Sequence, residues 1–207
     1  MNTISDFRPS HRIAIHTSVD VVSAVTVDDL RRPTPCAGWD LGDLLAHMTV
    51  QNHGFAASAR GHGADLAVWD AASVVDAVSR DPAGTYATAA ADVLEAFAAD
   101  DALTASFALP EFGPGATAPG EMAIGFHFVD YVVHAWDVAR TIGAPLDLPD
   151  DVIAAVLPLA LAVADGEFRA AEGAPFRPAI DGDDSAAGLE RILLHLGRSP
   201  AWEPTRV

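Results

Sequence analysis

The sequence predicts an all-α fold: a bundle of four main helices with short additional helices and a small extended segment, in one domain over residues 1–207. Two observations predict it. Apolar residues recur at helical spacing through long stretches, and prolines and glycines fall between those stretches. Half of the 207 residues are hydrophobic and only 20% are charged, so the chain can bury a full core.

The first two helices are separated by a loop that contains two prolines. The first is expected from about Ser10 to Leu30, where valines and isoleucines alternate with polar residues at helical spacing. Residues 31–38 form the loop, because proline and glycine break a helix. Asp40 then has the features of an N-cap, with Asp43 as the acid of a capping box. This second helix is expected to run to about residue 59.

The middle of the chain is expected to hold an interrupted helix and the extended segment. A helical stretch follows Asp70, is interrupted at residues 81–84 and resumes through Phe97. Residues 104–109 are the candidate extended segment, and the turn-rich stretch 110–120 follows it.

The longest helix is predicted from Gly120 to Ile142, since Gly143 is a typical C-terminal stop. Another helix should begin at residues 149–151, with a kink or a break at Pro158. Residues 176–183 are expected to be a loop or a short strand. The last short helix is expected from Ser185 to Leu196.

The charge of the chain argues against two classes of partner. Lysine and arginine total 12 against 29 aspartates and glutamates, so the net charge is −17. Such a surface repels phosphate backbones and anionic lipids, and we expect neither nucleic acid nor a membrane as partner. The longest apolar run, residues 151–165, contains a proline and is shorter than the ~20 residues of a membrane span. No secretory signal is recognisable, so a cytoplasmic protein is expected.

The strongest chemical signal is an aspartate and a histidine four residues apart on the longest predicted helix. Asp130 and His134 fall within about 60° of one another, together with His127, and Asp137 extends the same stripe. The neighbouring residues are apolar, and a buried carboxylate and imidazole must be paired or coordinated. Two interpretations stay open. A divalent cation could hold them, with His47 from the second helix as third ligand, or they could simply share a hydrogen bond.

Other side chains have a functional and a structural interpretation. His127 is a candidate fourth ligand or a donor to a ligand. Cys36 is either a reactive thiol near a helix N-terminus or a small packing residue. Trp39 and Trp136 either line a pocket or fill the core. The remaining histidines are expected to be ordinary surface residues: His11, His16, His53, His62 and His195.

Three segments, taken in order, resemble a known family. They are residues 32–40 running into residues 43–47, residues 130–139 followed by Gly143, and residues 189–200. Together they resemble the actinobacterial metal-binding proteins related to the N-terminal domain of mycothiol-dependent maleylpyruvate isomerase, within the DinB/YfiT-like superfamily. The resemblance covers about residues 10–200.

The resemblance implies a DinB-like four-helix bundle with a divalent metal, zinc or nickel, held by three side chains. His47 matches the first histidine ligand and His134 the last, while Asp130 stands where the isomerase has a glutamate ligand. The implied function is that of a metal-dependent transferase or isomerase. It would use a low-molecular-weight thiol such as mycothiol as co-substrate, acting on a small-molecule substrate.

The resemblance also implies limits. The isomerase carries a further C-terminal domain that contributes a catalytic arginine, whereas residues 144–207 are too few for the remainder of the bundle and that domain. Isomerisation of maleylpyruvate itself is therefore not expected, and Arg198 is not assigned to catalysis. Two alternatives are a non-catalytic metal- or small-molecule-binding bundle and an interaction module without metal. A homodimer formed through an apolar helix face is the candidate assembly.

Overall fold

The structure, a computed structural model, describes residues 5–171, 174–182, 186 and 188–204 and confirms the all-α prediction. Its helices and strands, in chain order, are α1 Arg8–Val22, α2 Leu41–Ala59, α3 Val75–Arg80, α4 Pro82–Phe97, β1 Ser106–Ala108, β2 Thr117–Pro119, α5 Gly120–Ile142, α6 Asp150–Ala162 and α7 Gly188–His195. Short 3₁₀ turns connect several of them.

The long helices pack around a shared apolar interior. α2 lies against α4 and α5, while α1 contacts α4 and α5. One core cluster fills the space between α1, α2 and α4, and a second lies between α5, α6 and α7. Burial of these apolar faces is the main force that holds the helices together. α5 contributes to both clusters, so its side chains are enclosed on most sides.

The start of α2 is fixed by the capping box that the sequence predicts. The Asp40 carboxylate accepts the backbone N–H of Asp43 at 3.0 Å, and the Asp43 carboxylate accepts the backbone N–H of Asp40 at 3.2 Å. Both bonds satisfy N–H groups that a helix terminus otherwise leaves without partners. This cap sets where α2 begins, and therefore which of its residues face α5.

α5 has the bounds predicted from the sequence. It ends at Gly143, whose φ of 72° is left-handed and which donates its backbone N–H to Ala139. Only glycine adopts that conformation without strain, which explains the sharp stop. Ahead of α5, β1 and β2 form a small antiparallel hairpin in which Phe107 is paired with Ala118. The predicted extended segment is thus the first strand of this hairpin.

Several predicted details are different in the structure. The first helix ends at Val22 rather than near residue 30, and a 3₁₀ turn, Val27–Asp29, follows it. α6 runs through Pro158 without a break, because the helix on either side is held by packing against α5 and α7. Residues 176–182 contain no strand. α7 begins at Gly188, and the predicted start at Ser185 lies outside the described residues.

Within the described part of the chain, no helix is both long and apolar enough to cross a bilayer.

Candidate metal centre

Helices α2 and α5 bring the three predicted ligands together. One ligand atom from each of His47, Asp130 and His134 lies within 4.8 Å of the others. His134 Nε2 is 3.2 Å from one Asp130 carboxylate oxygen, and His47 Nε2 is 3.9 Å from the other. The two imidazole rings meet edge to face at 5.3 Å between centroids. Two imidazoles and a carboxylate converging from two helices are a donor set that suits a divalent transition metal such as zinc, nickel, iron or manganese.

A hydrogen bond beside these residues fixes the two helices against each other. Tyr131 follows Asp130 on α5 and is completely buried, and its hydroxyl donates to the backbone carbonyl of Met48. Met48 follows His47 on α2. The contact therefore restricts movement of α2 along α5 at the point where their ligand residues face each other. This holds the donor atoms at a set separation.

The second nitrogen of His134 has a carboxylate partner of its own. His134 Nδ1 lies 2.9 Å from an oxygen of Asp137, which is fully buried one turn further along α5. Placing the proton on Nδ1, as a donor to Asp137, leaves the Nε2 lone pair directed toward Asp130 and His47. A carboxylate behind a histidine in this way fixes the ring orientation and increases the basicity of the ligating nitrogen.

Arg198 completes this support from the far end of the chain. Its guanidinium is 5% exposed, donates to the Leu196 carbonyl at 3.1 Å and lies 3.3 Å from the same Asp137 oxygen. Burial alone would disfavour the Asp137 charge, but Arg198 and His134 outweigh it and lower the pKa of Asp137. Asp137 is therefore a carboxylate and can accept the His134 proton.

The charge states of the three converging residues fit cation binding. Burial, followed by the charge of His134, lowers the pKa of His47 to about 4, so His47 is neutral near pH 7 with a free lone pair. Burial opposes the charge on Asp130, yet the adjacent His134 and His47 prevail and lower the pKa of Asp130. Burial also opposes charge on His134, but Asp130 and Cys36 raise its pKa. With its pKa raised, His134 can carry a second proton, on Nε2. A bound cation would replace that proton.

A second set of donors shares His134. Cys36 Sγ is 3.1 Å from Asp137 and 3.8 Å from His134 Nδ1, and these three residues also group closely enough to ligate an ion. However, the Arg198 guanidinium lies 3.3 Å from Sγ and from the Asp137 oxygen. A fixed positive charge there opposes a second cation, so the set formed with His47 is the better site. Cys36 is half-buried and serves as a contact of Asp137 and Arg198.

His127 and His11 form a separate pair. His127 Nδ1 lies 2.9 Å from His11 Nε2, and both rings are 1% exposed. The prediction that His11 is a surface residue is therefore wrong, because α1, which carries His11, packs on α5, and α5 covers the ring. His127 is outside the group of converging donors, and its ring stacks on Tyr131 at 4.0 Å between centroids. Neither predicted role for His127, as fourth ligand or as donor to a ligand, has support in these contacts.

The converging donors reach solvent on one side. The side chains of His47 and Asp130 are each 26% exposed, whereas that of His134 is 5% exposed. Trp39 is 38% exposed and packs on the His47 ring at 4.9 Å. Trp136 is half-buried: it packs against the core cluster between α5, α6 and α7, and it also lines the larger of two surface clefts. The clefts, of about 690 and 320 Å³, lie away from these donors.

Comparison with known protein families identifies a relationship over most of the bundle. Residues 11–139 match the family model described as the mycothiol maleylpyruvate isomerase N-terminal domain. The chain belongs to this family. The match includes most of α1, all of α2 and most of α5, and therefore all three converging donors.

Relatives of known sequence and of known structure agree with that assignment. Two proteins of Mycobacterium tuberculosis, Uncharacterized protein Rv0738 of strain H37Rv and Uncharacterized protein MT0763 of strain CDC 1551, are each 32% identical over 193 residues. That alignment covers 92% of this chain and 96% of each relative.

Among solved structures, the mycothiol-dependent maleylpyruvate isomerase matches with a TM-score of 0.54 at 16% identity, over 75% of this chain. A histidine-to-alanine mutant of that isomerase gives a TM-score of 0.55 at 15% identity. The alignment spans 66% of the isomerase chain in both cases. At this level of identity the likeness shows a shared fold.

Proposed function

We propose that this protein is a divalent-metal-dependent transferase or isomerase that uses a low-molecular-weight thiol such as mycothiol, with zinc or nickel held by His47, Asp130 and His134. The observation that carries the proposal is the convergence of these three donors within 4.8 Å, backed by Asp137 behind His134. The family supports the thiol, because its model and its solved structures are described by mycothiol-dependent chemistry.

A bound divalent cation would lower the pKa of a thiol and so supply a thiolate nucleophile near neutral pH. The residues of the chain prepare the site for it. His47 offers an uncharged nitrogen, and Asp130 offers the negative charge that balances a dication. Three protein ligands leave at least one coordination position for a co-substrate, as in catalytic rather than structural zinc sites.

Asp130 and Asp137 have different positions beside His134. Asp130 faces the solvent side of the site, at 26% exposure, where a thiol co-substrate would reach the metal. His134 keeps its own Nδ1 proton on Asp137, so its ring does not turn away from the centre. The two carboxylates thus have separate tasks, one facing the reactants and one orienting a ligand.

The test is thiol-dependent turnover by metal-loaded protein. Zinc- or nickel-loaded protein is mixed with mycothiol and a panel of small electrophiles, and consumption of the thiol is followed. The proposal expects turnover that requires both metal and thiol and that falls by at least about 100-fold in His47→Ala. Metal retention without any thiol-dependent rate would instead identify a non-catalytic metal-binding protein.

A further inference from the structure

The loop of the β1–β2 hairpin is attached to α2 one helical turn beyond His47. It is tied to α2 by Gln51, whose side-chain amide donates to the Glu111 carboxylate at 2.7 Å. Gln51 is one helical turn beyond His47, on the same side of α2. The residue that follows Glu111 in this loop is Phe112. The hydrogen bond therefore holds the segment that carries Phe112 against α2, one helical turn beyond His47.

Phe112 meets α5 through a second aromatic residue. Its ring lies 5.5 Å from that of Phe126, which is one helical turn before Asp130 and on the same side of α5. Phe112 is 64% exposed and Phe126 39%, although both are large and apolar. Trp39 packs on the His47 ring, so exposed aromatic rings adjoin one donor residue on α2 and lie one helical turn from another on α5. We call Trp39, Phe112 and Phe126 the aromatic rim.

Exposed aromatic residues beside convergent polar groups are typical of a ligand site. Apolar surface of this kind is costly to leave in water unless something binds to it. Small-molecule sites combine a few fixed polar groups with apolar and aromatic walls. The donors of the metal centre are the polar groups here, and the aromatic rim is the wall.

The charges around the rim restrict what can bind to it. Glu111 lies in the rim loop, and burial together with the Asp130 charge raises its pKa. The sequence has twelve arginines and no lysine. Among the described residues, Arg198 is the guanidinium that acts on His47, and it is already held by Asp137 and Leu196. A carboxylate on the tail of the bound molecule would therefore meet the acidic Glu111 and Asp130, while the Arg198 guanidinium is already engaged.

We propose that the aromatic rim binds an uncharged aromatic or aliphatic group of the substrate, next to the metal. This rests on the proposed function and deepens it by naming the substrate class: an electrophile with an apolar, uncharged body rather than a dicarboxylate. Phe112 and Phe126 determine specificity, and Trp39 closes the site on the His47 side.

The test uses the zinc-loaded full chain and three hydroxamic acids that chelate zinc in the same way and differ only in their tails. Acetohydroxamate carries a methyl tail, benzohydroxamate a phenyl tail, and the monohydroxamate of succinate a carboxylate tail. We expect benzohydroxamate to bind about ten-fold more tightly than acetohydroxamate. The carboxylate-tailed probe should bind more weakly than acetohydroxamate.

Two variants assign that preference to the rim. Phe112→Ala combined with Phe126→Ala should reduce the ten-fold preference for the phenyl over the methyl tail to less than about two-fold. Phe168→Ala is the matched control, because Phe168 is 58% exposed and lies outside the rim. It should keep the full preference. Equal binding of the phenyl and methyl probes, or a preference that survives the double substitution, would overturn the proposal.

A second measurement needs no metal and separates the two proposals. The indole N–H resonance of Trp39 is followed in ¹H–¹⁵N spectra of the full chain as benzyl alcohol or benzoate is added. A shift with benzyl alcohol and none with benzoate is expected. Absence of any shift with benzyl alcohol refutes the proposal that the aromatic rim binds an uncharged group, even if the protein takes up zinc. A chain that refuses zinc but shows the shift refutes the proposed function and leaves the rim supported.

Discussion

His127 and His134 lie seven residues apart on one side of α5, and both are at least 96% buried, yet their surroundings are opposite. His134 is placed between two carboxylates, Asp130 and Asp137. His127 is placed among aromatic rings, with the neutral His11 as its hydrogen-bonding neighbour. Carboxylates raise the pKa of His134, whereas burial and His11 lower the pKa of His127.

The comparison shows that spacing on a helix identifies which residues share a side and does not identify their chemistry. Both histidines satisfy the periodicity equally. Their surroundings separate them. His134 has Asp137 of the same helix, held by Arg198 from the C-terminal segment, whereas His127 has the ring of His11 from α1. The first environment can exchange a proton for a cation, and the second favours a neutral ring.

The largest effect on the His134 side should come from removing its support. Asp137→Asn or Arg198→Met is expected to weaken zinc binding by about 10- to 100-fold, because the His134 ring loses the partner that orients it and increases its basicity. Zinc affinity is measured by competition with a chromophoric chelator.

Arg169→Met is the matched control: Arg169 is equally buried but donates to backbone carbonyls such as those of Val163 and His195. It should lose stability and keep its zinc affinity. Equal zinc affinity in all three variants would contradict the role of Asp137.

On the His127 side, loss of a partner should affect stability and leave metal binding intact. His11→Ala is expected to lower the free energy of unfolding by about 1–3 kcal/mol, because His127 Nδ1 is left buried without a hydrogen bond. Replacing both histidines with phenylalanine should cost less, since no polar group is then stranded. Urea denaturation provides the measurement. A loss of zinc affinity on His11→Ala would break the distinction between the two histidines.

The pH dependence of stability should sharpen the same comparison. Burial lowers the pKa of His11 to about 3, well below its value in the unfolded chain. The unfolded state therefore binds the proton first, and stability falls as the pH drops below about 6.5 toward the folded value. At pH 5 the expected loss from His11 is about 2 kcal/mol. His11→Phe should flatten the decline in the urea midpoint between pH 7 and pH 5. An unchanged slope would show that His11 is not a buried neutral group.

The smallest effect is expected from Cys36. Because Arg198 lies beside its sulfur, the cation should occupy the set formed by His47, Asp130 and His134 instead. Cys36→Ala should then change zinc affinity by less than about three-fold. In cobalt-loaded protein, the charge-transfer absorption of a thiolate ligand should be absent. A collapse of affinity in Cys36→Ala would place the ion on the other set of donors.

Much of the fold can be predicted from sequence because its signals are local. The capping pair of Asp40 and Asp43 and the stop at Gly143 fix the bounds of α2 and α5. Asp130 and His134 share a helix, so their proximity follows from the helical repeat alone. That His47 faces them depends on packing, and it was predictable through the family resemblance rather than from spacing.

The remaining parts of the site depend on contacts between distant segments. Arg198 meets Asp137 across 61 residues, and nothing in the local pattern around Arg198 indicates that contact. Asp137 could be predicted as a residue of the site, because its spacing places it on the same side of the helix as Asp130 and His134. His11 was predicted wrongly because its burial comes from α5 covering α1, which the sequence of α1 does not reveal. Glu111 lies in a loop whose position is set by Gln51.

The most direct test of the central claim is the metal content of untagged protein, measured by elemental analysis beside two variants. The account predicts close to one zinc or nickel per chain in the wild type and in His127→Ala, and almost none in His134→Ala. A wild type that is empty and also refuses added zinc and nickel would contradict it. So would His134→Ala protein that retains its metal.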